Sequence, residues 1–442
     1  MSKILGIRHE DKYVMERRVA VTPWQVQRLI SEHDFKIIVE QSPKRVFLDD
    51  EFRQAGADVV EDVSDADVIF GVKEMPIDFF KTGKTYVFFS HVIKGQTYNM
   101  PSLRKMIDCG VTLIDYEKVT DEMGRRLIFF GRFAGLAGMI NSLWAFGQRM
   151  KEKGLETPFL QIRQAHTYIS LAEARSVISE VGHQIAAEKN PKELRPFVIG
   201  FTGYGNVSSG AQEIASLLPL KEISPEELLT LNEREDRPGN MIYKVIFKEH
   251  HISKPKDPNA EFELRDYYAH PEKYENQFEK YIPHLSILMN CMYWDDRYPR
   301  IITKDFLEEL YINGEPRLKV IGDITCDPDG SIECTHKGTV IENPVFVYDP
   351  IQRKPIDGFK GNGVLMMAVD ILPSELPRDS SLAFSSALEP FIPAIMNADY
   401  KKSFEDINIP GPVKRAMILH KGELTPDFLY LKKHLYKTDV KV

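Results

Sequence analysis

Cysteine is scarce in this chain. The four residues Cys109, Cys291, Cys326 and Cys334 are spaced for neither a disulfide framework nor a zinc knuckle. They read as free thiols in a reducing compartment, and no metal site is expected. Basic charge is not in excess either: Lys and Arg number 57 against 65 Asp and Glu, a formal charge of -8. Without a basic stripe, nucleic acid is not an expected partner. Long apolar runs are also missing. The longest stretch, around Phe133 to Gly147, contains Asn141 and Ser142, follows Arg132 and falls short of a membrane span. The opening residues hold Glu10, Asp11 and Glu16 and no apolar segment of a secretory signal. A cytoplasmic protein without membrane partners is the expectation.

What is present is an ordinary globular composition, 43% hydrophobic and 28% charged, on 442 residues, a chain too long for one core. The first part repeats a short β-rich run, a turn, a helical stretch and another run, which predicts an α/β domain with a mostly parallel sheet. Predicted strands are Lys3 to Arg8, Phe35 to Glu40, Asp67 to Val72, Thr85 to Phe89 and Val111 to Asp115. Thr22-Pro23 reads as the start of a helix with Trp24, Leu29 and Ile30 inward. The small residues Ala134, Gly135, Ala137 and Gly138 open a long helix suited to close packing. A second domain centres on Phe197 to Leu218, and strands resume near Leu285 to Met289 and Leu318 to Gly322. Residues 224–280 are charged and rich in turn signals such as Arg237-Pro238-Gly239, and read as an insertion. The expected architecture is two Rossmann-like α/β domains with mostly parallel sheets and a cleft between them. Residues 1–140 with about 380–442, which end in a polar tail, would bind substrate, and 141–379 the dinucleotide.

Ligands of open parallel sheets bind beyond the carboxyl ends of the strands. Lys73, His91 and Glu117 each follow a predicted strand, so they converge if the sheet is as drawn. Lys73 and His91 would serve as general acid and base. Lys94 would add positive charge there or stand solvated. Glu16, Arg17 and Arg18 sit on the loop after the first strand, where an arginine fork suits a carboxylate. Arg125 and Arg126 would reach the same crevice.

Farther on, Val198 to Thr202 runs into Gly203-Tyr204-Gly205-Asn206-Val207-Ser208-Ser209-Gly210, a strand, glycine turn and helix start of the kind that holds a pyrophosphate. It departs from G-x-G-x-x-G by Ser208 in third place. An acid for the adenosine ribose is expected about twenty residues on. Leu220-Lys221-Glu222 offers no clean one, and Lys221 would meet a 2′-phosphate or stand solvated, which favours NADP(H) over NAD(H). Asp323 after the strand Leu318 to Gly322 would approach the nicotinamide or the substrate amine, or cap a helix. Asp370-Ile371-Leu372-Pro373, stiffened by its proline, would wall the cleft or connect the domains.

Together, Glu16-Arg17-Arg18-Val19-Ala20, Gly71-Val72-Lys73, Phe88-Phe89-Ser90-His91-Val92-Ile93-Lys94, Ile114-Asp115-Tyr116-Glu117-Lys118, Phe133-Ala134-Gly135-Leu136-Ala137-Gly138, Thr202-Gly203-Tyr204-Gly205-Asn206-Val207-Ser208 and Asp370-Ile371-Leu372-Pro373 resemble the lysine-ketoglutarate reductase part of the α-aminoadipic semialdehyde synthase family. That family is similar to fungal saccharopine dehydrogenases and, more distantly, to alanine dehydrogenase. The resemblance covers nearly the whole chain. It implies that Lys73 and His91 are the acid-base pair and that Arg18, Glu117 and Arg126 contact substrates. It also implies that the C-terminal segment returns to the N-terminal domain. The implied reaction condenses lysine with 2-oxoglutarate to saccharopine through an imine reduced by NADPH. Animal and plant members are fused to a second dehydrogenase, whereas this chain stops at Val442. An NAD-dependent lysine-forming saccharopine dehydrogenase, an alanine-dehydrogenase-like enzyme and a non-catalytic dinucleotide sensor are the alternatives.

Overall fold

The structure is a computed structural model and describes residues 3–231 and 238–435. Arg237 of the turn signal, and 436–442 of the polar tail, lie outside the described residues. The chain divides into two units, Met1–Phe130 with Pro377–Val442, and Gly131–Leu376.

In the first unit the short apolar runs become β1 (Ile4–Ile7), β2 (Lys36–Glu40), β3 (Asp58–Val60), β4 (Val68–Phe70), β5 (Thr85–Phe88) and β6 (Thr112–Asp115). All six are parallel. Val-Ile-Phe of β4 is wholly buried, as expected of a parallel strand covered on both faces. The connecting helices include α1 (Pro23–His33), α2 (Asp49–Gln54) and α3 (Met100–Asp108). Pro23 starts α1 as its sequence suggests, but Trp24 does not point inward. It is 62% exposed, and the buried positions are Gln25, Val26 and Leu29. Gln25 and Val26 lie four and three residues before Leu29, on its face of the helix, and Trp24 is turned away from that face.

The second unit opens with α4 (Gly131–Glu152) and α5 (Leu171–Ala186), followed by β7 (Val198–Thr202), α6 (Asn206–Ala215), β8 (Leu220–Glu222), α7 (Pro225–Thr230) and β9 (Ile242–Phe247). The boundary expected at 140 falls inside α4, which is one continuous helix of this unit. β10 (Ser253–Pro255) and β11 (Tyr274–Asn276) form a separate antiparallel pair. β12 (Ile287–Asn290), β13 (Val320–Asp323), β14 (Val345–Asp349), β15 (Lys354–Asp357) and β16 (Val364–Met367) complete a sheet of order β15-β14-β16-β13-β12-β7-β9-β8. β14 is antiparallel to both β15 and β16, and the remaining pairings are parallel.

Residues 224–280 are therefore not simply an insertion. Within them β9 pairs with β7 along all five residues of β7, from Val198↔Tyr243 to Thr202↔Phe247, and Ile242, Tyr243, Val245 and Phe247 of β9 are core. Lys244 in mid-strand and the charged flanks hide this strand in the sequence. The glycine-rich start of α4 does pack closely. A side chain at Gly135 would strike the backbone of Val207, and one at Gly210 the backbone of Arg132, so α4 and α6 touch main chain to main chain.

The chain returns to the first unit with the helix Pro377–Leu388, and β17 (Met417–His420) adds antiparallel to β6, followed by β18 (Glu423–Leu424). The finished order, β18-β17-β6-β5-β4-β1-β2-β3, places a topological switch between β1 and β4.

Candidate active site

The loops leaving β1 and β4 at that switch carry Glu10 and Lys73. The carboxylate of Glu10 accepts hydrogen bonds from the backbone amides of Val72 at 2.6 Å and Lys73 at 2.8 Å, and so fixes the chain at Lys73. The Lys73 ammonium lies 5.9 Å from the centre of the Tyr13 ring. Beside it, Glu74 receives Lys12 Nζ at 2.5 Å and faces His91 Nδ1 at 2.8 Å. Burial pushes the Glu74 carboxyl up, but its bonds with His91 and Lys12 outweigh this and hold it at about 2. Glu74 is thus an anion that fixes one ring nitrogen of His91 and leaves Nε2 for proton exchange. Its buried Oε2 has no hydrogen-bond partner among the described residues, an acceptor suited to an ammonium group.

His91 itself has φ 53, a left-handed conformation that a non-glycine residue adopts at a cost of order 1 kcal/mol. The Asn99 amide donates to its carbonyl at 2.9 Å. β4, β5 and β6 are neighbours, with Phe70 opposite Val87 and Val87 opposite Ile114. Lys73, His91 and Glu117 therefore stand at three adjacent strand ends. Asp115, buried beneath them, accepts from Ser90 and from the amide of Glu117. Glu117 is ion-paired with Arg126.

Arg18 is placed differently from its sequence reading. It is 3% exposed, and its fork is taken by the fully buried Glu16, at 2.8 Å from Nε and 2.5 Å from an amino group. The guanidinium also lies over the Phe130 ring at 4.2 Å. A carboxylate of the protein already occupies the position expected for one of the substrate, because two residues on one tight loop satisfy each other. Lys94 stands exposed in a turn, not a helix, after His91. Arg17 donates to the carbonyl of Lys44, and Arg125 pairs with Asp121. Glu10, Lys12, Tyr13 and Glu74 were not singled out by sequence. The signal available was position alone: Glu74 adjoins Lys73, and Glu10 closely follows β1.

Burial, reinforced by the charge of Glu16, pushes the Glu10 carboxyl up to about 7. Since this lies above the ordinary 4.5, the folded protein binds a proton that the unfolded chain releases between those values. The stability this provides is complete at low pH and is lost as pH rises through about 7. Denaturant titrations should show stability falling by up to about 1.4 kcal/mol per pH unit in that window. Glu10→Gln should flatten the slope; an unchanged slope would clear Glu10 of this role.

In the second unit β7 ends at Gly203, whose φ of +78 makes the tight turn. Nothing stands within 4 Å of the space over Gly205, so backbone can approach a pyrophosphate there, and Asn206 and Val207 open α6. The sheet order reverses between β7 and β12. There a pocket of about 240 Å³ is lined by Gly203, Tyr204, Gly205, Glu249, Tyr268 and Met292 among others. Glu249, two residues past the end of β9, accepts from Tyr204 at 3.1 Å and Tyr268 at 2.6 Å. It is an acid near a strand end that sequence spacing did not point to. It is farther along the chain than expected because β9, not the earlier β8, lies beside β7.

Lys221 is exposed on the outermost strand β8, separated from β7 by β9, so its assignment to a 2′-phosphate loses its geometric reason. Glu222 beside it ends β8 and pairs with Lys244 at 2.5 Å. Asp323 is fully buried, accepting from Asn290 at 2.9 Å, Thr325 at 2.7 Å and Thr335 at 2.5 Å. These bonds tie it to the ends of β12 and β13. Leu372 is likewise buried, near Gly138 of α4, while Pro373 is half-buried. Among the described residues no group of His, Cys, Asp and Glu side chains could hold a metal ion, and no helix is long and apolar enough to cross a membrane.

Comparison with known proteins agrees with this fold. The family model described as alanine dehydrogenase/PNT, N-terminal domain, matches residues 6–137. The chain is 37% identical, over 97% of its length, to an alpha-aminoadipic semialdehyde synthase of Arabidopsis thaliana, of which it covers 41%. It is 33% identical, again over 97% of its length, to the mitochondrial alpha-aminoadipic semialdehyde synthase of Mus musculus, of which it covers 48%. It thus spans less than half the length of these curated relatives. Among solved structures an L-alanine dehydrogenase shares the fold, with a TM-score of 0.62 at 17% identity, over 98% of this chain and 99% of its own.

Proposed function

We propose that the chain, similar over 97% of its length to alpha-aminoadipic semialdehyde synthases and in fold to an L-alanine dehydrogenase, is a member of that family and an NAD(P)H-dependent oxidoreductase acting on a CH–NH bond. The proposed reaction condenses L-lysine with 2-oxoglutarate and reduces the resulting imine to saccharopine. The observation that carries this reading is the cluster at the β1/β4 switch, where Glu10 fixes the backbone of Lys73 and Glu74 fixes the ring of His91.

The ε-ammonium of lysine must lose a proton before it attacks the keto carbon, and the carbinolamine must gain one to lose water. In this reading His91 Nε2 and the Lys73 amine exchange those protons, while the unpartnered oxygen of Glu74 holds a substrate ammonium. Glu117 with Arg126 lines the neighbouring strand end for the substrate carboxylates. A bound nicotinamide supplies the hydride that reduces the imine. The turn Gly203 to Val207 holds the dinucleotide through its amides.

We assign NADP(H) as the preferred dinucleotide, now on Lys248 and His250, exposed on either side of Glu249. Glu249 favours the second reading, NAD(H), because a carboxylate accepts ribose hydroxyls and repels a 2′-phosphate. Comparing kcat/KM for NADPH and NADH, with a panel of amino acids and 2-oxo acids, tests the assignment. Lys248→Ala should lower the NADPH value about tenfold, an effect of about 1.4 kcal/mol, and leave NADH unchanged. A wild-type ratio at or below one, or turnover with no amino acid, overturns it. A cytoplasmic location belongs to the same proposal; cell fractionation decides between it and the location in the name of the mouse relative.

A further inference from the structure

The loop that carries His91 is held from outside by a distant part of the chain. After β5 the backbone runs through His91 in its left-handed conformation and a turn closed by the amide of Gly95 on the carbonyl of Val92 at 2.9 Å. Carbonyls in such a loop lack ladder partners and need donors from elsewhere. Asn99 provides one at His91. The other comes from the segment Pro426–Leu435: the hydroxyl of Tyr430 donates to the carbonyl of Ile93 at 2.6 Å.

The same segment makes two more attachments. A side chain at Gly95, whose φ is +64, would land on the ring of His434. Arg104 on α3 donates to the carbonyl of Leu435. Burial and the negative charge of Glu117 raise Tyr430 above the ordinary phenol value.

We propose that Tyr430 is a positioning residue for the reaction, clamping the His91–Gly95 loop through Ile93 so that the His91 ring stays against Glu74. This rests on the reading of His91 as a proton-exchanging group. Tyr430 touches neither substrate nor dinucleotide in this proposal. Its effect passes through the backbone two residues from His91.

Tyr430→Phe removes one donor and keeps the ring. On the full chain it should lower kcat about tenfold and leave KM for the dinucleotide within twofold. It should also shift the limb of the kcat pH profile that His91→Gln abolishes. Gly95→Ala should reproduce this by pushing against His434, and Gly95→Ala with His434→Ala should recover part of the loss. A Tyr430→Phe variant with kcat within twofold of wild type and a superimposable pH profile overturns the proposal, as does an equal loss in kcat and dinucleotide affinity. If Tyr430→Phe fails to fold, the Gly95 and His434 variants decide the matter by the same two readouts. Should His91→Gln itself leave kcat unchanged, the underlying reading of His91 fails, and the two failures are told apart.

Discussion

Lys73→Met and His91→Gln should each lower kcat by roughly 10²-fold or more, the usual worth of a general acid or base, while the affinity for dinucleotide should barely move. Both residues stand at the ends of adjacent strands, and each is fixed by a carboxylate of its own, Glu10 for the backbone of Lys73 and Glu74 for the ring of His91. The turn that would hold the dinucleotide is built from different residues, Gly203 to Val207, so the two properties separate. Forming and reducing an imine requires protons to be taken up and given back on linked steps. The double variant should therefore lose far less than the product of the single losses. Steady-state kinetics across pH with all three variants tests this. Losses that multiply in full, with both limbs of the pH profile kept in each single variant, would remove the acid-base assignment.

Arg18→Met should cost about 3–5 kcal/mol of folding stability, the usual result of taking one partner from a buried ion pair. Glu16 is fully buried and Arg18 nearly so, and Glu10 adds a second carboxyl in the same surroundings. The arginine also loses its place over Phe130, which stacks in turn on Phe384 at 4.5 Å. Thermal unfolding should show a fall on the order of 10 °C, scaled from the usual effect of each kcal/mol on a domain of this size. Arg18→Met with Glu16→Gln should recover much of it, since no uncompensated charge then remains. A stable single variant whose KM for the 2-oxo acid rises strongly would instead return Arg18 to the role of substrate clamp.

That difference marks where sequence reading stops. β1, β2, β4, β5, β6 and β7 were legible because short apolar runs bounded by turns identify parallel strands, and the polar residues after them then fall at carboxyl ends. Lys73, His91, Glu117 and the glycine turn followed from position alone. Pairing was not legible. Nothing in Glu16-Arg17-Arg18 says that the first residue will occupy the fork of the third, nor in Gly71-Val72-Lys73 that Glu10 will hold its amides. Glu249 was missed for a different reason. The rule that places a ribose acid about twenty residues beyond the glycine turn assumes that the next strand in sequence is the next in the sheet, and here it is not.

The order β7-β9-β8 also bears on how the second unit assembles during synthesis. β8 leaves the ribosome before β9, yet the strand it pairs with is β9. Until β9 has emerged and paired with β7, β8 and α7 have no sheet to join. β8 is therefore expected to join at the edge, after β9 has paired with β7. Closing the β7–β9 pair across the intervening elements raises the sequence separation of the earliest contacts and slows the first step. The waiting strand Leu220–Glu222 is short and its Lys221 and Glu222 are both exposed, a composition that resists pairing with other chains in the interval.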